Sequence, residues 1–169
     1  MLGDITSEVA DAVVNPAGAG LVDLAIRRVA GPDLLDAFHR TAAKLPERRL
    51  LRGRVLLTPG FALPAGHVIH CGPPVHADGP GRAREELAVC YTGALGLARA
   101  HGFRSIAFPA IATGVYRFPV RAAAEIAARA VLGDLRAHGG PSEVRFVFTD
   151  AATMDLYARA AITAGFSEV

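Results

Sequence analysis

Apolar residues along the chain fall into short runs and into stripes of helical period, and the punctuation between them sets the predicted elements. Residues 12–15 form a short apolar strand, and residues 22–30 read as a helix closed by Gly31. Pro32 then takes the first position of a second helix, where its fixed φ and missing donor are tolerated, with Leu34, Leu35, Phe38 and Ala42 as the buried face. Residues 55–58 and 68–71 are apolar and β-branched, with Pro59, Gly60, Pro64 and Gly66 as turn residues between them, which predicts two adjacent strands. Residues 75–81 read as loop. A long amphipathic helix follows over 84–101, with Leu87, Tyr91, Leu95 and Ala98 in register and Gly102 as a left-handed cap. Residues 105–109 are a buried strand. The helix over 119–138 carries Ile126, Ala130 and Leu135 inward and stops at Gly139, Gly140 and Pro141. A strand over 144–149 and a helix over 152–164, closed by Gly165, complete the chain.

Strand and helix alternate through the later half, the order that right-handed crossovers turn into parallel strands covered on both faces. The expected fold is a three-layer α/β/α arrangement with a mixed, largely parallel central sheet, residues 1–169 making one domain without internal repeat or linker. The 169 residues are 51% hydrophobic and 20% charged, a globular balance, and no apolar run reaches bilayer length, so disorder and membrane spanning are excluded. The basic residues are seventeen Arg and one Lys, Lys44. That bias, with abundant Ala, Gly and Pro, is what a GC-rich coding sequence produces. The arginines are scattered among acids, so they do not call for a nucleic-acid partner. No secretory signal precedes Thr6, and the expectation is a cytoplasmic monomer. Cys71 and Cys90 are spaced for neither a metal clip nor a disulfide framework and read as small buried apolar residues.

Two connections stand out as candidate chemistry. Asn15, Pro16, Ala17, Gly18, Ala19 and Gly20 lie between a strand and the helix carrying Asp23, and Ala112, Thr113 and Gly114 lie between the strand at 105–109 and the helix at Pro119. Ligands of open α/β sheets bind beyond the carboxyl ends of the strands, where such loops feed helix N-termini. Small residues let backbone amides approach a ligand, and the positive helix end favours an anion. Small residues in such connections are usually just tight turns, and either loop by itself reads first as one. The pair, facing each other, suggests a diphosphate.

Several strings, in order, carry a resemblance: Gly3-Asp4-Ile5-Thr6; Asp11-Ala12-Val13-Val14-Asn15; Val22-Asp23-Leu24-Ala25-Ile26 with Ala30-Gly31-Pro32; Thr58-Pro59-Gly60, Leu63-Pro64, Val68-Ile69-His70 and Gly72-Pro73; and Phe108 through Pro119. Together they resemble a macrodomain, the ADP-ribose-binding module, from Gly3 to the last helix. The resemblance implies that Asp4 accepts from the adenine exocyclic amine, the alternative being a turn cap on Thr6, while the Ile5 amide supports the ring. Gly20, Val22 and Ala112 would line the phosphate path. Thr113, Gly114, Val115 and Tyr116 would surround the diphosphate and the second ribose, with the Tyr116 ring over the sugar. Phe148 would lie against adenine or be a plain core residue.

Similar proteins hydrolyse the ester joining ADP-ribose to acidic protein side chains, using an Asn and an Asp to orient a water, with no metal or organic cofactor. Asp23 and Asn15 are the positions that match. Asp23 alternatively only complements the helix dipole, and Asn15 alternatively pins the loop backbone. The chain departs from the family pattern in a shortened first loop, in Gly18 where a second Asn is expected, and in Leu24 where Gly is expected. Only Met1 and Leu2 stand before Gly3, where similar proteins have strand residues. The resemblance therefore implies ADP-ribose or an ADP-ribosylated protein as partner. A non-catalytic reader and a hydrolase of acetylated or phosphorylated ADP-ribose are the alternatives. His67 and His70 point to opposite faces of their strand, so His67, His70, Cys71 and His76 do not make a zinc site.

Overall fold

The computed structural model describes residues 1–18, 20–78 and 80–166. Ala19 of the first loop and Gly79 of the stretch read as loop lie outside the described residues. Five strands, β1 (Ala12–Pro16), β2 (Val55–Pro59), β3 (His67–Cys71), β4 (Ser105–Phe108) and β5 (Glu143–Phe146), form one sheet in the order β2-β3-β1-β4-β5. Only the β2–β3 pair is antiparallel. The reason is local: the two strands are joined by the short Pro/Gly connection, whereas each parallel neighbour needs a helix to carry the chain back.

Side-chain alternation on β1 and β3 sorts the core into two layers. Ala12, Val14, Ile69 and Cys71 face α3 (Pro80–Ala100), α4 (Val120–His138) and α5 (Ala151–Ala164). Val13 and Val68 face the other way, with Ile26 and Ala30 of α1 (Leu21–Ala30) and Leu34 of α2 (Pro32–Ala42). Asp11 seals the lower edge, its Oδ2 accepting from the amides of Arg104 at 2.7 Å and Ser105 at 2.9 Å. Those amide bonds hold its carboxyl below the usual range. Gly102 ends α3 at φ 68°. Both cysteines are buried, and Cys90 Sγ donates to Gly72 O at 3.3 Å. Hydrogen bonding to Cys90, with burial, pushes the Cys71 thiol well up.

Three expectations need correction. α3 starts at Pro80 rather than 84, because proline at the first helical position opens it ahead of the periodic apolar residues. The buried stripe of α4 is Ala123, Ala124, Ala127, Ala128 and Val131, while Ile126, Ala130 and Leu135 are half-buried at its sides. A helix wedged between two others meets them through its smallest residues, which permit the closest approach. β5 ends at Phe146 rather than 149, because its partner β4 gives way to Pro109; beyond it Phe148 makes a single parallel bridge with Leu2. The chain before Gly3 thus lies alongside the segment that follows β5.

Candidate functional site

From β1 the chain reaches β3 on one side and β4 on the other, so strand order reverses between β1 and β4. Connections that leave two neighbouring strands for opposite sides open a crevice at their carboxyl ends. A cleft of about 650 Å³ lies there, above Pro16 and Pro109, a volume within the range of small-molecule sites.

One end of the cleft is formed by the 3₁₀ turn Ile5–Ser7 and the chain following β5. Asp4 Oδ1 accepts from Thr6 N at 2.9 Å and from Thr6 Oγ1 at 2.7 Å, which caps the turn and lowers the carboxyl below its usual range. Its second oxygen makes no hydrogen bond among the described residues, so the cap and an outside donor do not compete. Phe148 is buried and packs on Tyr157 with ring centroids 4.7 Å apart. It walls the cleft on one side and, on the other, an apolar cavity of about 250 Å³ beneath α5. Asp150 also lines this end, and its carboxylate caps α5 through Thr153 N at 2.8 Å.

The other end presents main-chain donors. Gly20 caps α1 without a side-chain acceptor, leaving first-turn amides such as that of Val22 unpaired among the described residues, in contrast to α5 with its Asp150 cap. Opposite lies the loop between β4 and α4, bracketed by Ala112 at φ 65° and Arg117 at φ 54°. Two non-glycine residues held in the left-handed region cost about 1 kcal/mol or more each, and such strain concentrates where geometry serves a site. The bracket is closed by Arg117 N to Gly114 O at 2.9 Å and Phe118 N to Ala112 O at 3.0 Å. The amides of Thr113, Gly114, Val115 and Tyr116 make no hydrogen bond among the described residues. His76 supports the loop from behind, donating its amide to Tyr116 O at 3.3 Å and packing its ring 4.9 Å from that of Phe118. The two loops also touch: a Cβ on Gly18 would lie 1.9 Å from Tyr116 Oη, so only glycine admits that hydroxyl.

All ten residues read from the sequence as ligand-binding, Asp4, Ile5, Gly20, Val22, Ala112, Thr113, Gly114, Val115, Tyr116 and Phe148, line this one cleft. Asn15 and Asp23 do not. Strand parity turns Asn15 toward α1, beside its cross-strand neighbour His70. There Asn15 Nδ2 donates to Asp23 Oδ1 at 2.8 Å and lies 3.2 Å from His70 Nδ1. His70 Nε2 is 2.9 Å from Thr58 Oγ1. One turn along α1, Arg27 Nε donates to Asp23 Oδ1 at 3.1 Å, and its Nη2 stands 2.9 Å from Oδ2 as an ion pair too oblique for a hydrogen bond. Burial, with the Arg27 charge behind it, pushes His70 down to about 3, so the ring is neutral. With the Asn15 amide donating to Nδ1, the ring proton belongs on Nε2 and goes to Thr58. Among the described residues Asn15 Oδ1 has no donor. His67 is turned to the opposite side, on Asp11 O and the Phe103 ring.

An α/β sheet whose order reverses under a cleft lined by unpaired main-chain amides defines a domain class that presents donors to an anionic ligand. The comparisons with known proteins name the family within it. The macro domain family model matches residues 13–127. An O-acetyl-ADP-ribose deacetylase of Escherichia fergusonii is 43% identical over 93% of this chain and 90% of its own. Among solved structures, the Oceanobacillus iheyensis macrodomain with ADP superposes with TM-score 0.90 at 35% identity, covering 96% of this chain and 88% of that one. The Trypanosoma brucei macrodomain in complex with ADP-ribose gives 0.81 at 36%, over 94% and 67%. The chain belongs to the macro domain family.

Sequence reasoning missed Leu21, Ala25, Thr149, Asp150 and Thr153 on the cleft wall. Asp150 was within reach, since Asp-Ala-Ala-Thr is a helix-capping string. The Asp23–Arg27 pair was also readable as an i,i+4 couple. The Thr58–His70–Asn15 contacts join three strands and have no local signal.

Proposed function

We propose that the cleft binds ADP-ribose and that the protein hydrolyses an acyl ester on its distal ribose. The observation that carries the binding is the polarity of the cleft: an aromatic ring and a free carboxylate oxygen at one end, unpaired amides from two elements at the other. Adenine presents an amine donor and a π-face, which suits Asp4 and Phe148, with the Ile5 amide beneath the ring. A diphosphate needs donors on several oxygens, which suits the Val22, Thr113 and Gly114 amides. The distal ribose then falls beside Val115 and under Tyr116. Gly20 and Ala112 serve by lacking bulk.

For the ester, the relatives named as O-acetyl-ADP-ribose deacetylases favour O-acetyl-ADP-ribose over ADP-ribose on acidic protein side chains. In either case Asp23 and Asn15 remain the proposed pair for orienting a water, Asp23 being on the helix that supplies the anion donors. The non-catalytic reader has its own observation: Asp23 and Asn15 are held by each other, by Arg27 and by His70, and neither lines the cleft.

The experiment is calorimetric titration with ADP-ribose followed by product analysis on O-acetyl-ADP-ribose and on an automodified transferase. Micromolar binding, about −8 kcal/mol, supports the site; no binding removes it. Acetate release that falls in Asp23→Asn while affinity holds supports hydrolysis by this pair, and binding without any product makes the protein a reader. Asp4→Asn is expected to weaken ADP-ribose by roughly 10–100-fold, since a hydrogen bond to a charged group contributes about 1.5–3 kcal/mol. The same variant should discriminate less against the inosine analogue, whose exocyclic carbonyl oxygen accepts where the adenine amine donates. Gly18→Ala should displace the Tyr116 hydroxyl and cost about tenfold in affinity with little change in melting temperature, overpacking a flexible side-chain end being milder than overpacking a core.

A further inference from the structure

At the distal end of the cleft the surface turns apolar. Leu21 lines the cleft yet keeps 82% of its surface in water. Leu24, three residues on and therefore on the same helix stripe, is 55% exposed. Val115, 56% exposed, lines the cleft from the other loop beside the start of this helix: a Cβ on Gly20 would stand 3.9 Å from Val115 Cγ2. The charged residues lining the described cleft, Asp4 and Asp150, are both at the adenine end. At the distal end the cleft is lined by the side chains of Leu21, Val22, Val115 and Tyr116, none of them charged, and this lip, continuous with the place where the distal ribose falls, offers contact area to hydrocarbon.

We infer that Leu21, Leu24 and Val115 form a subsite for the acyl group of the ester, and that it selects acyl chains longer than acetyl. This rests on the ADP-ribose reading of the cleft, but it concerns the occupant of the lip and not the nucleotide. Acetyl carries a single methyl beyond its carbonyl, whereas propionyl and butyryl add one and two methylenes that can lie on this rim. Each methylene taken from water onto an open apolar rim contributes part of the full burial value, roughly a twofold gain in affinity.

The test uses hydrolysis-resistant N-acyl amide analogues of ADP-ribose on the distal ribose, titrated by calorimetry, so that turnover does not enter. Butyryl should bind about fourfold tighter than acetyl, and the double variant Leu21→Ser, Leu24→Ser should bring that ratio to about one. Both side chains are exposed, so the variant should fold, which its circular dichroism and melting curve check. Three results overturn the inference: equal affinity for acetyl and butyryl in the wild type, a ratio that survives the double variant, or a dimer in sedimentation that the double variant abolishes, which assigns the lip to a second copy of the chain. If ADP-ribose itself does not bind, it is the nucleotide reading that fails, and this is seen separately in the same titration series.

Discussion

Asp23→Ala is expected to destabilise the protein by about 3–5 kcal/mol, the cost of breaking a buried pair by removing one partner. The carboxylate is fully buried, while the Arg27 side chain is one-third exposed and can recover water, which places the expectation toward the lower figure. Asn15 Nδ2 has no such recourse; it loses its 2.8 Å acceptor inside the fold. At this chain length each kcal/mol moves the melting temperature by about 2–4 °C, so a fall of roughly 6–12 °C should appear in thermal unfolding. Asp23→Asn keeps the shape and one acceptor and should fall by less than half of that. If Asp23→Ala melts with the wild type, the network does not hold the first loop, and Asp23 is free for another use.

The second large effect is a dependence of stability on acid. His70 is neutral in the fold, pushed down to about 3 by burial and by Arg27, whereas in the unfolded chain it takes a proton near pH 6.5. As pH falls below 6.5, the unfolded state gains a proton that the folded state refuses, so stability falls; the loss is complete once pH passes about 3. Linkage gives roughly 2 kcal/mol between pH 6.5 and 5, and about 4 kcal/mol over the whole window. Urea unfolding at pH 7, 6 and 5 measures the slope. His70→Gln retains an acceptor for Asn15 and a donor for Thr58, and it should flatten the curve over that interval. An unchanged slope in the variant would assign the acid sensitivity elsewhere. The carboxyls of Asp4, Asp11 and Asp150, all held below the usual range by backbone hydrogen bonds, act at lower pH and in the same direction.

Periodicity and punctuation made most elements legible. The strands of 4–5 residues, the helices that open after Gly31 and Pro119 and the helix that stops before Gly102 follow from patterns that span a few neighbours. The cleft wall was legible for a related reason: it is made of loops whose small residues and order along the chain carry the family resemblance. What stayed hidden depends on packing. Nothing near Ile126 indicates that the alanines beside it are buried more completely than the isoleucine. Asn15 and Asp23 match a catalytic pattern by position, but whether they reach the cleft is decided by strand parity, by His70 on a neighbouring strand and by Arg27 one turn away. The shortened first loop was visible in the sequence; the Gly18–Tyr116 contact was not, because it joins loops nearly a hundred residues apart.

The Thr58–His70–Asn15 contacts also bear on how the strands find their alignment. Polar groups from three adjacent strands meet on one side of the sheet, and the opposite side at those positions is hydrocarbon. Sliding any of these strands by a single position would turn its polar member into the helix layer of Leu87, Leu95 and Val131, where it meets no partner. A sheet of uniformly apolar strands would tolerate such a shift. Here the seam works as an alignment key, penalising every mispaired arrangement whatever it contributes to the correct one.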